Sequence, residues 1–488
     1  MTNIITDIID IKDTGIKVIA VKETTRDKIV TIEKKVSAHY CDVCGFRMYS
    51  KGIYTRHINH PIMQDGLHLI LELRQRRWQC SNPSCQVIET DEFSFVDKHR
   101  RNTNMSDLLI VDAFRNPENS ASQIAKEHNV SDSHAIRTFA RYVNLNRRQL
   151  PEAICIDEVY LNIHNGYKYA LVLQDFITGE SIDLVETRRK EKAEPYFLGI
   201  PLKERQNVKY VISDMYKSYL EYTRLYFPNA VSIIDAFHVI QAINYELLKY
   251  IRKLIRKLDE NDHTEHQRRI EEFHREIEFS HSRDYLLLKK YYKIILKNGK
   301  DLKIQNQPRY NKLLGRDMTT FDYLEWMFRI DPDLEHLRDL KEVYISFNYK
   351  YAGNPAGAKA ALPIVIEKYK SSGYMMFQRI AAMLNENFDA IINSFTLLEK
   401  SSGDKVRLSN GPIEGLNRIT KDMKRIGRGY RNFEFIRQRF LFATRKNARI
   451  LGCPRKLKDT YLKAYLEHDE IQNFYDEDDS TEGVLNNE

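Results

Sequence analysis

Three carboxylates carry the chemistry that this sequence suggests. Asp157 follows the apolar run Ala153-Ile154-Cys155-Ile156, and Asp214 follows Tyr210-Val211-Ile212-Ser213. Glu414 sits in Ser409-Asn410-Gly411-Pro412-Ile413-Glu414-Gly415-Leu416-Asn417. The first two close short buried strands and the third opens a basic helix. Asp, Asp and Glu converging from separate elements can hold two magnesium or manganese ions, and such a pair drives in-line displacement at phosphorus. The implied chemistry is cutting and joining of nucleic acid. Glu158 is adjacent to Asp157 on one strand, so the two side chains point to opposite faces. Only one is then expected in the site, and Asp157, directly after the apolar run, is the choice. A single Asp at a strand end is often a turn cap, and Asp175 and Asp235 also end apolar runs. The case rests on Asp157, Asp214 and Glu414 together.

A second constellation is built from sulfur. Cys41-Asp42-Val43-Cys44-Gly45 is a C-x-x-C knuckle, and Cys80-Ser81-Asn82-Pro83-Ser84-Cys85 supplies a second pair across a turn. Two such pairs suit one tetrahedral structural zinc ion. The spacer of about 35 residues is looser than the common ribbon spacing. His39, His57 and His60 could replace one thiol, and four free thiols are the bland alternative. Arg74, Arg76, Arg77 and Trp78 lie on the ribbon between the pairs, where they could meet phosphate or form a solvated face.

The elements that must position these groups follow from periodicity. Residues 1–35 alternate apolar and polar as short strands. The zinc-binding module extends to residue 100. Residues 103–150 read as helical, and 101–150 holds a helix-turn-helix. Ser120 with Gln123 forms a capping box, Ala125 is small where two helices cross, and Val130 is apolar in the turn. Ser131 caps the next helix, whose inner stripe is Ile136, Phe139, Ala140 and Val143. Ser133, His134 and Arg137 then project outward, as a recognition helix requires. An ordinary helical hairpin has the same pattern. Residues 151–238 switch to short apolar runs separated by turns and one or two helices, an α/β pattern. From 239 to 400 the period is helical again, as in Tyr245–Leu254 and Tyr285–Leu296. Residues 401–460 return to the α/β core with Glu414. The expected fold is multidomain α+β: zinc module, helix-turn-helix, and an α/β core interrupted by an all-α insertion.

The 488 residues carry a formal net charge of +8, a weak pointer to a polyanionic partner. Between Lys405 and Lys458 basic residues outnumber acidic ones roughly fivefold, with Arg425, Arg428, Arg431, Arg437 and Arg439 close together. The tail, 461–488, reverses this with Asp476-Glu477-Asp478-Asp479 and reads as a solvated, disordered end. The N-terminus lacks a secretory pattern, and no run of about 18 apolar residues suggests a membrane span. Six cysteines in this length are no disulfide framework. The expected compartment is the cytoplasm.

The order of these features resembles bacterial insertion-sequence transposases of the ISL3 family. It runs from the zinc module and helix-turn-helix through Ile156-Asp157-Glu158, Ser213-Asp214-Met215-Tyr216 and Asp235-Ala236-Phe237-His238 to the helical insertion and the Glu414 motif. The motif continues in Lys421, Lys424-Arg425 and Gly429-Tyr430-Arg431-Asn432-Phe433. The resemblance implies a ribonuclease-H-like core with a DDE triad of Asp157, Asp214 and Glu414. It implies Asp157 bridging both metals, with Asp214 on one and Glu414 on the other, and no covalent enzyme intermediate. Asp235 to His238 resembles an Asp-x-x-His element beside the active site, although Ala236 stands where a basic residue is more familiar. His238 could contact the scissile phosphate or be structural. Arg418, Lys421, Lys424, Arg425, Arg428 and Arg431 could grip backbone phosphate, which sets register rather than sequence choice. The implied function is binding of an element's terminal inverted repeats, cleavage there and joining to target DNA, by a homodimer or higher oligomer on double-stranded DNA. A non-enzymatic DNA-binding regulator and a nuclease without strand transfer are the alternatives.

Overall fold

The computed structural model describes residues 11, 13, 15–64, 66–163, 166–303, 307–400, 402–427 and 430–461. Arg428 and the acidic tail beyond residue 461 lie outside the described residues. The N-terminal sheet orders β1 (Ile16–Glu23), β2 (Asp27–Lys34), β4 (Leu67–Cys80) and β3 (Met48–Gln64), with β5 (Ile88–Thr90) also on β4. Alternate residues of β2 and β4 turn inward. Val30, Ile32, Leu69, Leu71 and Leu73 bury together with Ile58, Phe93 and Val96, the period-2 signature of a half-buried sheet. At the far end of the β3–β4 ribbon a smaller cluster joins Met48 and Trp78 to Cys41 and Cys80.

Three helices follow: α1 (Asn104–Ala113), α2 (Ala121–Glu127) and α3 (Asp132–Tyr142). The helical stretch expected to reach residue 150 stops at Tyr142, and the chain continues without helix through Leu150. Ser120 and Ser131 cap α2 and α3 by accepting from the N–H groups of Gln123 and His134. The expected capping box is half formed, because the Gln123 amide donates to Glu127 Oε1 at 3.0 Å. Asn129, at φ 52, turns the chain between the helices, a left-handed conformation that Asn tolerates.

The central sheet orders β10 (Val231–Ile234), β9 (Tyr210–Ser213), β6 (Ala153–Tyr160), β7 (Tyr169–Asp175) and β8 (Ser181–Val185). β6, β7 and β8 are antiparallel neighbours, while β9 and β10 run parallel to β6. The crossovers are α4 (Lys190–Leu198) with the short α5 (Leu202–Gln206), then α6 (Lys217–Tyr226). Both faces are covered, which is why the strands read as continuous apolar runs. Ile154 and Ile156 pack against Phe197 of α4 and Tyr219, Tyr222 and Tyr226 of α6. Ala153, Cys155 and Val159 pack on the opposite side with Ile413, Leu416 and Met423 of α15.

Between β10 and that return lies a mainly helical block with its own apolar core, not the all-α insertion expected from sequence. It comprises α7 (Ala236–Phe273), α8 (Arg283–Tyr291), α9 (Lys293–Leu296), α10 (Thr320–Ile330), α11 (Asp333–Lys350), α12 (Pro355–Lys370), α13 (Met375–Glu386) and α14 (Phe388–Asn393). Two small hairpins interrupt it, β11–β12 (Arg309–Asn311, Arg316–Met318) and β13–β14 (Leu397–Glu399, Lys405–Arg407). The chain leaves the sheet at Asp235 and re-enters at Asn410, and the Asn410 N–H donates to Asp235 Oδ2 at 2.9 Å. Exit and return are thus tied directly.

The C-terminal segment is two helices, α15 (Gly411–Ile426) and α16 (Phe433–Thr444). α16 joins the helix-turn-helix to the sheet in one core, through Phe114, Phe139, Phe435 and Phe442. Arg439, read from sequence as part of a basic run, is fully buried there. It donates to the Tyr430 hydroxyl and the Asn119 carbonyl, satisfying a loop that α1 and α2 leave open.

Candidate active site and thiol cluster

Asp157 lies inside β6, which runs on to Tyr160 rather than closing at Asp157 as expected. It stands two residues past the pairing of β6 with β9, and Asp214 immediately follows β9, the parallel neighbour on its flank. Their carboxylates and that of Glu158 offer oxygens that all lie within 4.8 Å of one another. This corrects the expectation that strand alternation admits only one of Asp157 and Glu158. The alternation itself holds, since Glu158 leaves on the α6 face. There its Oε2 accepts from the Tyr219 hydroxyl at 2.5 Å and its Oε1 from Arg188 at 2.7 Å. The Glu side chain is one methylene longer than Asp, and beyond the part of β6 paired with β9 that reach brings its carboxylate back beside Asp157. Arg188 is itself fixed between the rings of Tyr169 and Tyr216, at 4.7 and 4.6 Å.

The electrostatics are those of acids crowded away from water. Burial pushes the Asp157 carboxyl up to about 6. The Glu158 N–H, which donates to Asp157 Oδ1 at 2.8 Å, opposes this, while the Glu158 and Asp214 charges reinforce it. Burial raises Asp214 as well, against a hydrogen bond from the Tyr216 N–H. His238 is near enough to favour the charged form of both aspartates. Its Nε2 is buried without a hydrogen-bond partner among the described residues.

Glu414 stands in the first turn of α15, exposed and outside the three-carboxylate cluster. Its helix is nonetheless anchored on both sides of it. Asn410 holds Asp235 at the end of β10, and Asn417 Nδ2 donates to Asp157 Oδ2 at 2.7 Å. Those anchors bracket β9, the strand that leads into Asp214. Glu414 and Asn417 are three residues apart and so are neighbours on the helix surface. Asn417 is the functional contact that sequence reasoning missed, although it stood in the motif quoted for Glu414. The two competing aspartates have other employment. Asp175 caps the β7–β8 turn by accepting from Ile177 and Thr178, and Asp235 caps α7.

The basic residues divide. Arg418 and Lys421 are exposed on α15, Lys424 lies over the Tyr160 ring at 4.6 Å, and Arg425 pairs with Asp422 at 3.0 Å. Arg431 is exposed beyond the helix. On the N-terminal ribbon Arg74 and Arg76 pair with Glu33, and Trp78 is buried with its indole N–H on Asp91. Arg77 is exposed. On α3, Ser133 and Arg137 are exposed. His134 is held by Asn102 at 2.5 Å, with the buried Asp107 at 3.7 Å, so it braces the helix against α1 rather than standing free.

Cys41, Cys44, Cys80 and Cys85 bring their sulfurs within 4.8 Å of one another. Cys41–Cys85 is 3.7 Å and Cys44–Cys80 is 3.3 Å. Gly45, at φ +74, allows its N–H to reach back to Cys41. The Asn82 N–H donates to Cys80 Sγ at 3.4 Å. The three histidines named as substitutes are engaged elsewhere. His39 stacks on Trp78, His57 meets Glu72 and His60 meets Thr103. Four soft thiols converging without a disulfide are the donor set a structural zinc takes.

A transposase of Bordetella parapertussis, that of insertion sequence element IS1001, is 23% identical over 299 residues. The similarity covers 61% of this chain and 62% of that relative, so the chain spans less than two thirds of its length. The sequence pattern of the ISL3-type DDE transposase family, described as Transposase, matches residues 154–440. That match contains β6, Asp214, the helical block and α15, and it covers more than half of the chain: the protein belongs to the ISL3 family of DDE transposases.

Proposed function

We propose that the protein is an active transposase that binds the terminal inverted repeats of its own insertion sequence, cleaves there and joins the ends to target DNA. The observation that carries this reading is the meeting of Asp157 and Asp214 from adjacent parallel strands, with the returning α15 bonded to Asp157. A sheet of three antiparallel strands extended by two parallel ones supports a ribonuclease-H-like core. In this reading 151–238 and 401–460 form that core, 239–400 is its insertion, and 1–100 and 101–150 are the zinc and DNA-binding modules.

Asp157 and Asp214 are hard oxygen donors that meet at the sheet and fit magnesium or manganese, and Glu414, in the first turn of α15, would complete a set for two such ions. When bound, such ions activate water or a DNA 3′-hydroxyl and stabilise the leaving oxygen. The chain itself does the positioning. Asn417 and the Glu158 N–H orient the Asp157 carboxylate. Glu414, exposed in the first turn of α15 between its two anchors, would supply the remaining carboxylate ligand. His238 offers an unpartnered Nε2 beside both aspartates and could donate to the scissile phosphate. Arg418, Lys421 and Lys424 follow on the same helix and would hold backbone phosphate. Ser133 and Arg137 would meet base edges, with Arg77 on flanking DNA.

The DNA-bound form is a homodimer or larger, acting in the bacterial cytoplasm; among the described residues no helix is long and apolar enough to cross a membrane. The test is an assay with labelled terminal-repeat DNA, magnesium and a plasmid target. Cleaved ends joined to the plasmid support the proposal, cleaved ends without joining favour a nuclease, and retained binding without cleavage favours a regulator.

A further inference from the structure

We infer that Glu158 is a third carboxylate ligand of the first metal position, so that Asp157, Glu158 and Asp214 together take one divalent cation before Glu414 is engaged. The inference rests on the metal-dependent reading above and deepens it.

Arg188 and Tyr219 hold Glu158, but neither requires it to lie beside two further carboxylates. As the counter-ion of Arg188 alone, it would be better placed away from two further carboxylates, because like charges this close repel strongly when partly buried. Instead its oxygen joins theirs within 4.8 Å. Each of its oxygens receives one hydrogen bond from outside the cluster, Oε1 from Arg188 and Oε2 from Tyr219. A carboxylate oxygen has two acceptor positions, so both retain one for the cluster. That is how metal-ligating carboxylates are held, with outer partners fixing the group and leaving its inner lone pairs to the ion. Tyr219 is fully buried on α6 and Arg188 is pinned between two rings, so the carboxylate is aimed in advance.

Asn417 points independently to a ligand. Its residue is 6% exposed, and its Nδ2 is spent on Asp157. Its Oδ1 is buried with no partner among the described residues. An amide oxygen so placed can accept from a water carried by a bound ion, which would remove the cost of leaving it unpaired. Glu414 stands outside the cluster and is exposed, so three carboxylates are assembled without it.

The test is manganese binding to the full-length, DNA-free protein with its zinc retained, read by electron paramagnetic resonance and calorimetry. The wild type should bind one ion tightly. Glu158→Gln should weaken that ion more than tenfold, and Glu158→Asp, which keeps the charge but shortens the reach, should weaken it too. Tyr219→Phe leaves the ligand but loosens its orientation and should cost roughly tenfold. Glu414→Gln should leave this ion within about twofold of wild type. Thermal melts of each variant confirm folding. Wild-type affinity in Glu158→Gln, or loss of the ion in Glu414→Gln, overturns the inference. Asp157→Asn separates the two levels of the argument. If it alone loses the ion, the metal-dependent reading survives and the Glu158 assignment fails. If it also binds as wild type, the ion sits elsewhere and both fail.

Discussion

The thiol cluster and the carboxylate cluster each gather ligand groups within 4.8 Å, but they are built in opposite ways. The four sulfurs come from two local turns at one end of a single ribbon, each pair a few residues apart. Their backbone bonds, such as Gly45 to Cys41 and Cys85 to Asn82, are made within the knuckles. The carboxylates come from two strands and depend on α6 and α15 for orientation. Thiols can lose protons to the metal and pack with Met48 and Trp78 as a small core. Carboxylates packed together without a cation only repel. With zinc bound the first cluster would hold its module together, whereas the second is held in place at a cost by the fold around it.

This contrast predicts opposite responses to ligand removal. Structural zinc in small modules contributes on the order of 10 kcal/mol or more to folding. Cys80→Ser should therefore release zinc and unfold residues 15–100, seen as loss of sheet signal and new protease sites there, with the central sheet intact. A module that stays folded and metal-free would break the comparison. Asp157→Ala and Asp214→Ala should do the reverse. Metal-assisted charge stabilisation is worth several kcal/mol, so strand transfer should fall on the order of 1,000-fold. Folding should be unimpaired, because removing one of several crowded acids relieves repulsion. Glu414→Ala should match them in activity.

Titration sharpens the same point. The folded Asp157 carboxyl titrates at about 6, above its usual 3.8. The folded state thus holds the proton more tightly than the unfolded chain. This contribution to stability is fully present below about pH 4 and is lost as pH rises through about 6. Its size is at most ~3 kcal/mol. In magnesium-free buffer wild type should lose stability across pH 4–6 relative to Asp157→Asn, which lacks the group. Adding magnesium should restore stability at neutral pH. Parallel curves for the two proteins would show that Asp157 is not strained in this way.

How far the sequence revealed each cluster follows from the same difference. The cysteines could be read directly, because local turns write their spacing into the chain. Asp157 and Asp214 were legible from the apolar runs before them, since buried parallel strands have a strong signature. Glu158 was misjudged because alternation describes where a side chain leaves the backbone. It does not say where a longer side chain ends once Tyr219 and Arg188 hold it. Those two lie 61 and 30 residues away, beyond any local pattern. Arg439 was visible only as a member of a basic run, and its burial was hidden for a similar reason. Its partners at Asn119 and Tyr430 exist only after α16 packs on the helix-turn-helix. Charge runs show where arginines are in the sequence, and only packing decides which of them remain outside.

That distinction yields the smallest expected effects, among basic residues. Arg137 is exposed on α3 with no acidic partner among the described residues, while Arg425 is exposed on α15 and lightly paired with Asp422. An arginine that reads guanine bidentately discriminates by about 1–3 kcal/mol. Arg137→Ala should therefore reduce preference for the terminal repeat over random DNA by roughly 5- to 100-fold, with a smaller change in binding to random DNA. Arg425→Ala should weaken cognate and random DNA alike and lower the salt slope by about one. Arg439→Ala is the internal control. It should destabilise the junction between the helix-turn-helix and the sheet, because a buried hydrogen-bonded network is broken, and any loss of DNA binding should track the loss of folded protein. Competition binding at several salt concentrations, with melts of each variant, separates the three. Equal loss of cognate and random binding in Arg137→Ala would remove α3 as the reading element and leave the helix-turn-helix as a structural support for the core.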